Sequence, residues 1–204
     1  MTAGGLVVIR TGVANLASVV AGLRRAGGAP EITQDPERVR NADHVMLPGV
    51  GTFGAAMDVL RETGLAEALT DRLVEDRPTM AICVGLQVLA GASAESPGNV
   101  GLGVIDATVT RFSSDVLVPQ LGWNYIEASP DCTLLKSGYA YFANSFRLSE
   151  MPIGCTGGTT DHGGSFVSAL ERGALLACQC HPELSGAWGH GLLTRWLGAG
   201  GSGC

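Results

Sequence analysis

The first residue in this chain suited to covalent chemistry is a cysteine at the end of a short apolar run. Thr79-Met80-Ala81-Ile82 reads as a strand, and after Cys83 the stretch Val84-Gly85-Leu86-Gln87 begins a helical pattern. A sharp strand-to-helix turn exposes a nucleophile when small residues two before and two after it relieve the crowding. Ala81 and Gly85 occupy those places. The N-terminus of the following helix would point at the sulfur and favour the thiolate. Apolar flanks also suit a small buried cysteine, so the turn alone leaves both readings open.

A thiolate nucleophile needs a histidine to move protons and a third group to hold that histidine. The chain offers His44, His162, His181 and His190. His44 starts a predicted buried strand. His162 falls in the loop Thr160-Asp161-His162-Gly163-Gly164 and His190 near a helix start, and both read as solvated. His181 lies in Gln179-Cys180-His181-Pro182-Glu183, at the end of a predicted strand. Pro182 restricts the backbone between imidazole and carboxylate, so Glu183 is placed to bond one ring nitrogen and leave the other for the thiol. A third feature, Leu47-Pro48-Gly49-Val50-Gly51-Thr52-Phe53, puts glycines between a strand and a helix. Such a loop can aim backbone N–H groups at a developing oxyanion, and by itself it is also an ordinary turn.

These residues need a scaffold that brings distant segments to one edge. With 204 residues the chain suits one domain that folds without disulfides or metals. We read residues 1–198 as that domain and 199–204 as a flexible tail. Strands around Leu6–Ile9, Ile32, His44–Leu47 (ended by Pro48) and Thr79–Ile82 alternate with helices. Asn15 caps the first helix, Asp35-Pro36 opens the second, and Phe53–Glu62 and Leu65–Glu75 follow. That alternation predicts parallel strands with helices on both faces. The second half carries short alternating runs at Val104–Phe112, Asn124–Glu127, Tyr139–Phe146, Ser165–Leu170 and Ala174–Gln179, read as antiparallel strands. A last helix is predicted over Gly189–Leu197. The fold class is therefore α/β, with a mixed, mostly parallel central sheet and an antiparallel section.

Composition narrows the function. A formal net charge of −6 without basic clusters argues against nucleic acid. No apolar segment reaches the roughly 20 residues that cross a bilayer, and the N-terminus lacks a signal-peptide pattern. A cytoplasmic protein is expected, with no membrane partner. In a reducing compartment the six cysteines would be mostly packing residues. Cys178-Gln179-Cys180-His181 resembles a metal-ligand cluster, but no second pair completes a tetrahedral site. Neither metal nor cofactor is expected.

In order along the chain, Gly12-Val13-Ala14-Asn15-Leu16-Ala17-Ser18-Val19, LPGVGTFG, ICVGLQVL, LGWN, TTDHGGSFVSAL and QCHPELSG resemble motifs of the class I glutamine amidotransferases. Within that class the set is most similar to the glutaminase subunit of imidazole glycerol phosphate synthase, from histidine biosynthesis. The ordered set spans essentially the whole chain. The resemblance implies a Cys83-His181-Glu183 triad that hydrolyses L-glutamine through a glutamyl thioester. It implies an oxyanion hole from the Val84 N–H and the Gly49-Val50-Gly51 loop, which becomes productive only with a partner docked and occupied. Gln87, Glu95, Asn144, Ser145 and Phe146 would contact substrate. Asn15, Gln120, Trp123 and Leu184 would face the partner, a separate (β/α)₈-barrel cyclase forming a heterodimer, receiving ammonia and making imidazole glycerol phosphate and AICAR.

The chain also departs from that pattern. Arg10-Thr11 replaces an Asp-Tyr pair, and Ala14 a glycine. Gln120 stands where a histidine is usual, Asn144 and Phe146 replace the ends of His-Ser-Tyr, and Leu184 replaces a lysine. Triad and oxyanion loop are untouched. A paralogous glutaminase feeding another synthase, or an idle binding subunit, stays open.

Overall fold

The computed structural model describes residues 5–12 and 15–199. Leu6–Ile9 forms β1, buried at all four positions as befits a strand covered on both faces. Asn15 caps α1 (Leu16–Arg25), its side chain accepting from the Ser18 N–H. β2 (Pro30–Thr33) is an edge strand. Asp35 caps α2 (Pro36–Asn41), with proline in its first turn. β3 runs from His44 to Gly49. Thr52 caps α3 (Phe53–Glu62), and α4 (Leu65–Val74) leads into β4 (Thr79–Cys83) and the one-turn α5 (Val84–Gln87). The later elements are β5 (Ala90–Ser93), β6 (Ile105–Arg111), β7 (Gln120–Ala128), β8 (Gly138–Asn144), β9 (Phe146–Leu148), β10 (Thr156–Asp161), β11 (Ser165–Arg172) and β12 (Leu175–Cys178). A 3-10 turn at Pro182–Leu184 precedes α6 (Gly186–Ala199).

The central sheet runs β2-β1-β3-β4-β12-β11-β10-β7-β8, with β9, β6 and β5 branching from β11. β2, β1, β3 and β4 are mutually parallel, and β11, β10, β7 and β8 continue antiparallel. The chain order reverses between β1 and β3, and in open α/β sheets the crevice beyond the carboxyl ends at such a reversal holds ligands. α1 packs with α6, while α2 and α3 each pack against α4.

Four expectations need correction. β3 does not stop at Pro48: it continues to Gly49, because pairing with β1 ends at Met46 and the missing proline N–H faces no ladder there. β12 is antiparallel to β11 but parallel to β4, and β5 is parallel to β6, so the second half is not uniformly antiparallel. α6 starts at Gly186 and includes Ala199, which removes that residue from the expected tail. Residues 200–204 and Ala14 lie outside the described residues. His162 is not freely solvated: its Nε2 lies 2.9 Å from the Leu117 carbonyl, and its ring packs edge-on against Phe112.

One buried cation organises the base of the sheet. Arg72 is 1% exposed. Its guanidinium donates to the carbonyls of Val39, Arg40, Ala42, Asp43 and Pro78 and to the Thr79 hydroxyl, at 2.7–3.3 Å. It thereby ties α4 to the end of α2 and to the starts of β3 and β4. Burial pulls its pKa down to about 10, still far above neutrality.

Candidate active site

The parallel pairing of β4 with both β3 and β12 assembles the site. Gly49 lies opposite Cys83, and Cys178 lies opposite Ile82. The three strands point the same way, so the residues that follow each of them emerge at one edge. Cys83 and His181 thus meet although they lie far apart in sequence.

Cys83 carries the signature of a forced turn. Its φ is +57°, a conformation a non-glycine residue adopts at a cost of about 1–3 kcal/mol. The expected need for a small residue at position 85 is borne out. A Cβ on Gly85 would lie 2.3 Å from the Leu47 carbonyl oxygen. Gly49 serves the same approach from the other side, since its Cβ would meet the Gly85 nitrogen at 2.7 Å.

His181 is 4% exposed, and its Nδ1 lies 2.9 Å from Glu183 Oε1. Burial works against a charged imidazole here. The hydrogen bond to Glu183 and the nearby Cys83 sulfur overcome it and push the pKa up to about 10. That direction favours the charged imidazole at neutral pH. Its backbone is fixed as well: the His181 N–H donates to the Tyr141 carbonyl, and the Ser185 hydroxyl donates to the His181 carbonyl.

A cavity of about 260 Å³ opens above the sulfur, lined by Val50, Gly51, Cys83, Val84, Gln87, Glu95, Ala143, Asn144, Ser145, Phe146 and His181. Every residue expected to contact substrate is in that lining. Of the expected oxyanion loop, Val50 and Gly51 line it and Gly49 does not, being buried in β3. A larger cavity of about 670 Å³ lies behind Glu183, bounded by Gly22, Arg25 and His190, and Cys83 does not reach it. Glu95 Oε2 accepts the Phe53 N–H at 2.7 Å, which anchors that carboxylate at the start of α3, beside the oxyanion loop.

The expected partner-facing residues divide. Trp123 is 56% exposed, within an apolar face that includes Leu121, Tyr125 and Tyr139, and Leu184 and Asn15 are also exposed. Gln120 is a correction: it is 5% exposed, on the inner side of β7 directly opposite Asn144, and offers no surface in this chain. One buried polar side chain at the sulfur went unmarked by spacing. Gln179 Nε2 lies 3.6 Å from Cys83 Sγ. The available signal was a lone amide within an otherwise apolar run, Leu175 to Cys180. Among the described residues, no three His, Cys, Asp or Glu side chains converge as metal ligands.

Comparison with known proteins agrees with this geometry. Residues 21–120 match the family model described as a CobB/CobQ-like glutamine amidotransferase domain. A solved structure described as a glutamine amidotransferase superposes with a TM-score of 0.76 at 21% identity, covering 97% of this chain and all of that one. The fold is that of a glutamine amidotransferase. The subunit HisH of imidazole glycerol phosphate synthase from Symbiobacterium thermophilum is 35% identical over 94% of this chain and 92% of its own length. The chain belongs to the HisH family of imidazole glycerol phosphate synthase subunits. It is also 40% identical, over 91% of its length, to the chloroplastic imidazole glycerol phosphate synthase hisHF of Arabidopsis thaliana, and spans about a third (33%) of that longer protein.

Proposed function

We propose that this chain hydrolyses the side-chain amide of L-glutamine and passes the ammonia to a separate (β/α)₈-barrel cyclase that makes imidazole glycerol phosphate and AICAR in histidine biosynthesis. The observation that carries the reading is that Cys83 and His181 line one cavity sized for a small amino acid, with Glu183 bonded to the imidazole from behind. The Cys83 thiolate attacks the carboxamide carbon. The oxyanion so formed is held by the Val84 N–H and a backbone N–H of the Val50-Gly51 loop. His181 gives its proton to the departing ammonia as the C–N bond breaks. It then takes a proton from water, whose oxygen attacks the thioester and releases glutamate and the thiolate. Glu183 keeps the imidazole oriented. Glu95 suits the substrate ammonium, and the Asn144-Ser145-Phe146 strand end suits its backbone groups.

The partner reading is supported by the Arabidopsis relative, a single chain named for both halves and about three times the span matched here. The exposed face of Leu121, Trp123, Tyr125 and Tyr139 borders the 3-10 turn that carries Glu183. Trp123 lies within reach of Gly186, just beyond that turn. Free ammonia protonates in water and ceases to be a nucleophile, so a docked acceptor on this face makes chemical sense. A different synthase is the competing partner, favoured by the departures at Leu184, Gln120 and Asn144.

Glutamate release, measured with and without the barrel cyclase across pH 6–11, tests this reading. Completing one oxyanion donor on docking is worth about 10²–10³ in rate, so stimulation of that order is expected from the cyclase. A raised imidazole pKa keeps the proton to higher pH. kcat/KM should therefore show no fall through the ordinary histidine range and decline only in the alkaline range, where the ammonium of free glutamine and then His181, at about 10, lose their protons. Stimulation by an unrelated synthase and not by the cyclase would assign the paralogous role. A fall near the ordinary histidine range would contradict the protonated His181.

A further inference from the structure

We infer that Gln179 is a further catalytic residue, a fixed hydrogen-bond donor to the Cys83 thiolate. This rests on the nucleophile reading of Cys83.

The orientation of the amide follows from an unambiguous acceptor. The Phe146 carbonyl can only accept, and it receives Gln87 Nε2 at 3.2 Å and Asn144 Nδ2 at 3.0 Å. Gln87 therefore presents its NH₂ group, and the same nitrogen lies 3.0 Å from Gln179 Oε1. With its oxygen committed to Gln87, Gln179 must turn its own NH₂ toward the sulfur, 3.6 Å away, a normal reach for a sulfur acceptor. The reversed amide would set NH₂ against NH₂ at Gln87. The backbone is pinned too, because the Gln179 N–H donates to the Ser168 carbonyl at 2.8 Å. Gln179 has no solvent exposure, so water does not compete for its donor.

A primary amide cannot exchange a proton with sulfur near neutrality. Gln179 thus supplies a dipole where His181 supplies a proton. A hydrogen bond to an anion is stronger than one to a neutral acceptor, and a thioester sulfur accepts weakly. The contact is therefore strong while the sulfur is a thiolate, weak once the glutamyl group is attached, and strong again as the C–S bond breaks in hydrolysis. It favours both the attacking form and the leaving form of the sulfur. The charged groups facing the sulfur are His181 on the segment after β12, with Glu183 behind it on the 3-10 turn, and Glu95 across the cavity. Gln179 is the neutral donor among them.

The test is the pH dependence of Cys83 alkylation by iodoacetamide, followed by mass spectrometry of the Cys83 peptide in the full chain. Iodoacetamide needs no glutamine recognition, so damage to substrate binding does not register. Gln179→Met removes the donor. Gln179→Glu keeps the shape and the acceptor for Gln87, and guards against a packing defect in the first variant. Hydrogen bonds to charged groups are worth about one pH unit or more. The alkylation midpoint is expected to rise by about one unit in Gln179→Met and by more in Gln179→Glu, with a neutral-pH rate about tenfold lower and an unchanged alkaline plateau. Midpoints matching the parent in both folded variants would overturn the proposal while leaving the nucleophile intact. A parent Cys83 that resists alkylation up to pH 10 would overturn the nucleophile reading itself, and this proposal with it.

Discussion

Cys83→Ala is expected to lower glutamate release from glutamine by at least about 10⁴-fold, the scale on which a hydrolase loses its nucleophile. The loss should appear in kcat, because the lining of Gln87, Glu95 and the Asn144–Phe146 strand end is untouched and glutamine still binds. Alanine inherits the same positive φ, so the backbone strain is unchanged between the two proteins. Two groups lose the sulfur: the Gln179 NH₂, at a cost of about 1 kcal/mol, and the His181 imidazole, which can stay neutral once the sulfur is gone. A variant that folds with a near-parental melting temperature and makes no glutamate is the expected outcome. Glutamate production within tenfold of the parent would remove Cys83 from the chemistry.

The second large effect concerns stability. Arg72→Met keeps much of the aliphatic volume and deletes every guanidinium donor. Five backbone carbonyls and the Thr79 hydroxyl lose a partner at once. Water reaches the pocket poorly, since Arg72 is 1% exposed. Leaving one buried acceptor unsatisfied costs about 1–3 kcal/mol, and the carbonyls keep some alternative pairing, so the net loss should be about 3–5 kcal/mol. In a domain of this size that lowers the melting temperature by roughly 10 °C. Arg72→Lys, which keeps the charge but not the planar fork, should lose about half as much. Urea unfolding curves of the two variants measure this directly. A loss under about 1 kcal/mol for Arg72→Met would show that the clamp is replaceable by local relaxation.

The parts of this fold that could be read from the sequence are those with a strong local signal. β1, β3 and β4 are contiguous apolar runs because both faces of a central parallel strand are covered. α1 and α2 announce themselves through Asn15 and Asp35, and α3 through its helical pattern from Phe53. The triad was legible because Cys83 sits between Ala81 and Gly85, and because Pro182 holds Glu183 beside His181. What stayed hidden depends on long-range pairing. Ala90–Ser93 has no branched or aromatic residue to mark a strand, and the parallel register of β12 on β4 has no local signature. Arg72 reads as a solvated charge on a helix until α2 closes over it. Gln120 reads as a surface residue until β8 sets Asn144 against it. Gln179 gains meaning only once Gln87 and Cys83, each more than ninety positions away, come within reach of its amide.

The most direct measurement of the central claim is covalent labelling by a γ-diazoketone analogue of glutamine, located by peptide mass spectrometry. A glutamine-shaped electrophile that enters the cavity takes a proton at its diazo carbon, for which His181 is the nearby donor, then loses dinitrogen as the thiolate forms a thioether with that carbon. One label per chain, on the peptide carrying Cys83, blocked by excess glutamine and slowed in His181→Asn, is the predicted result. An unlabelled Cys83 in a protein that still hydrolyses glutamine, or a label elsewhere that accounts for the loss of activity, would contradict it.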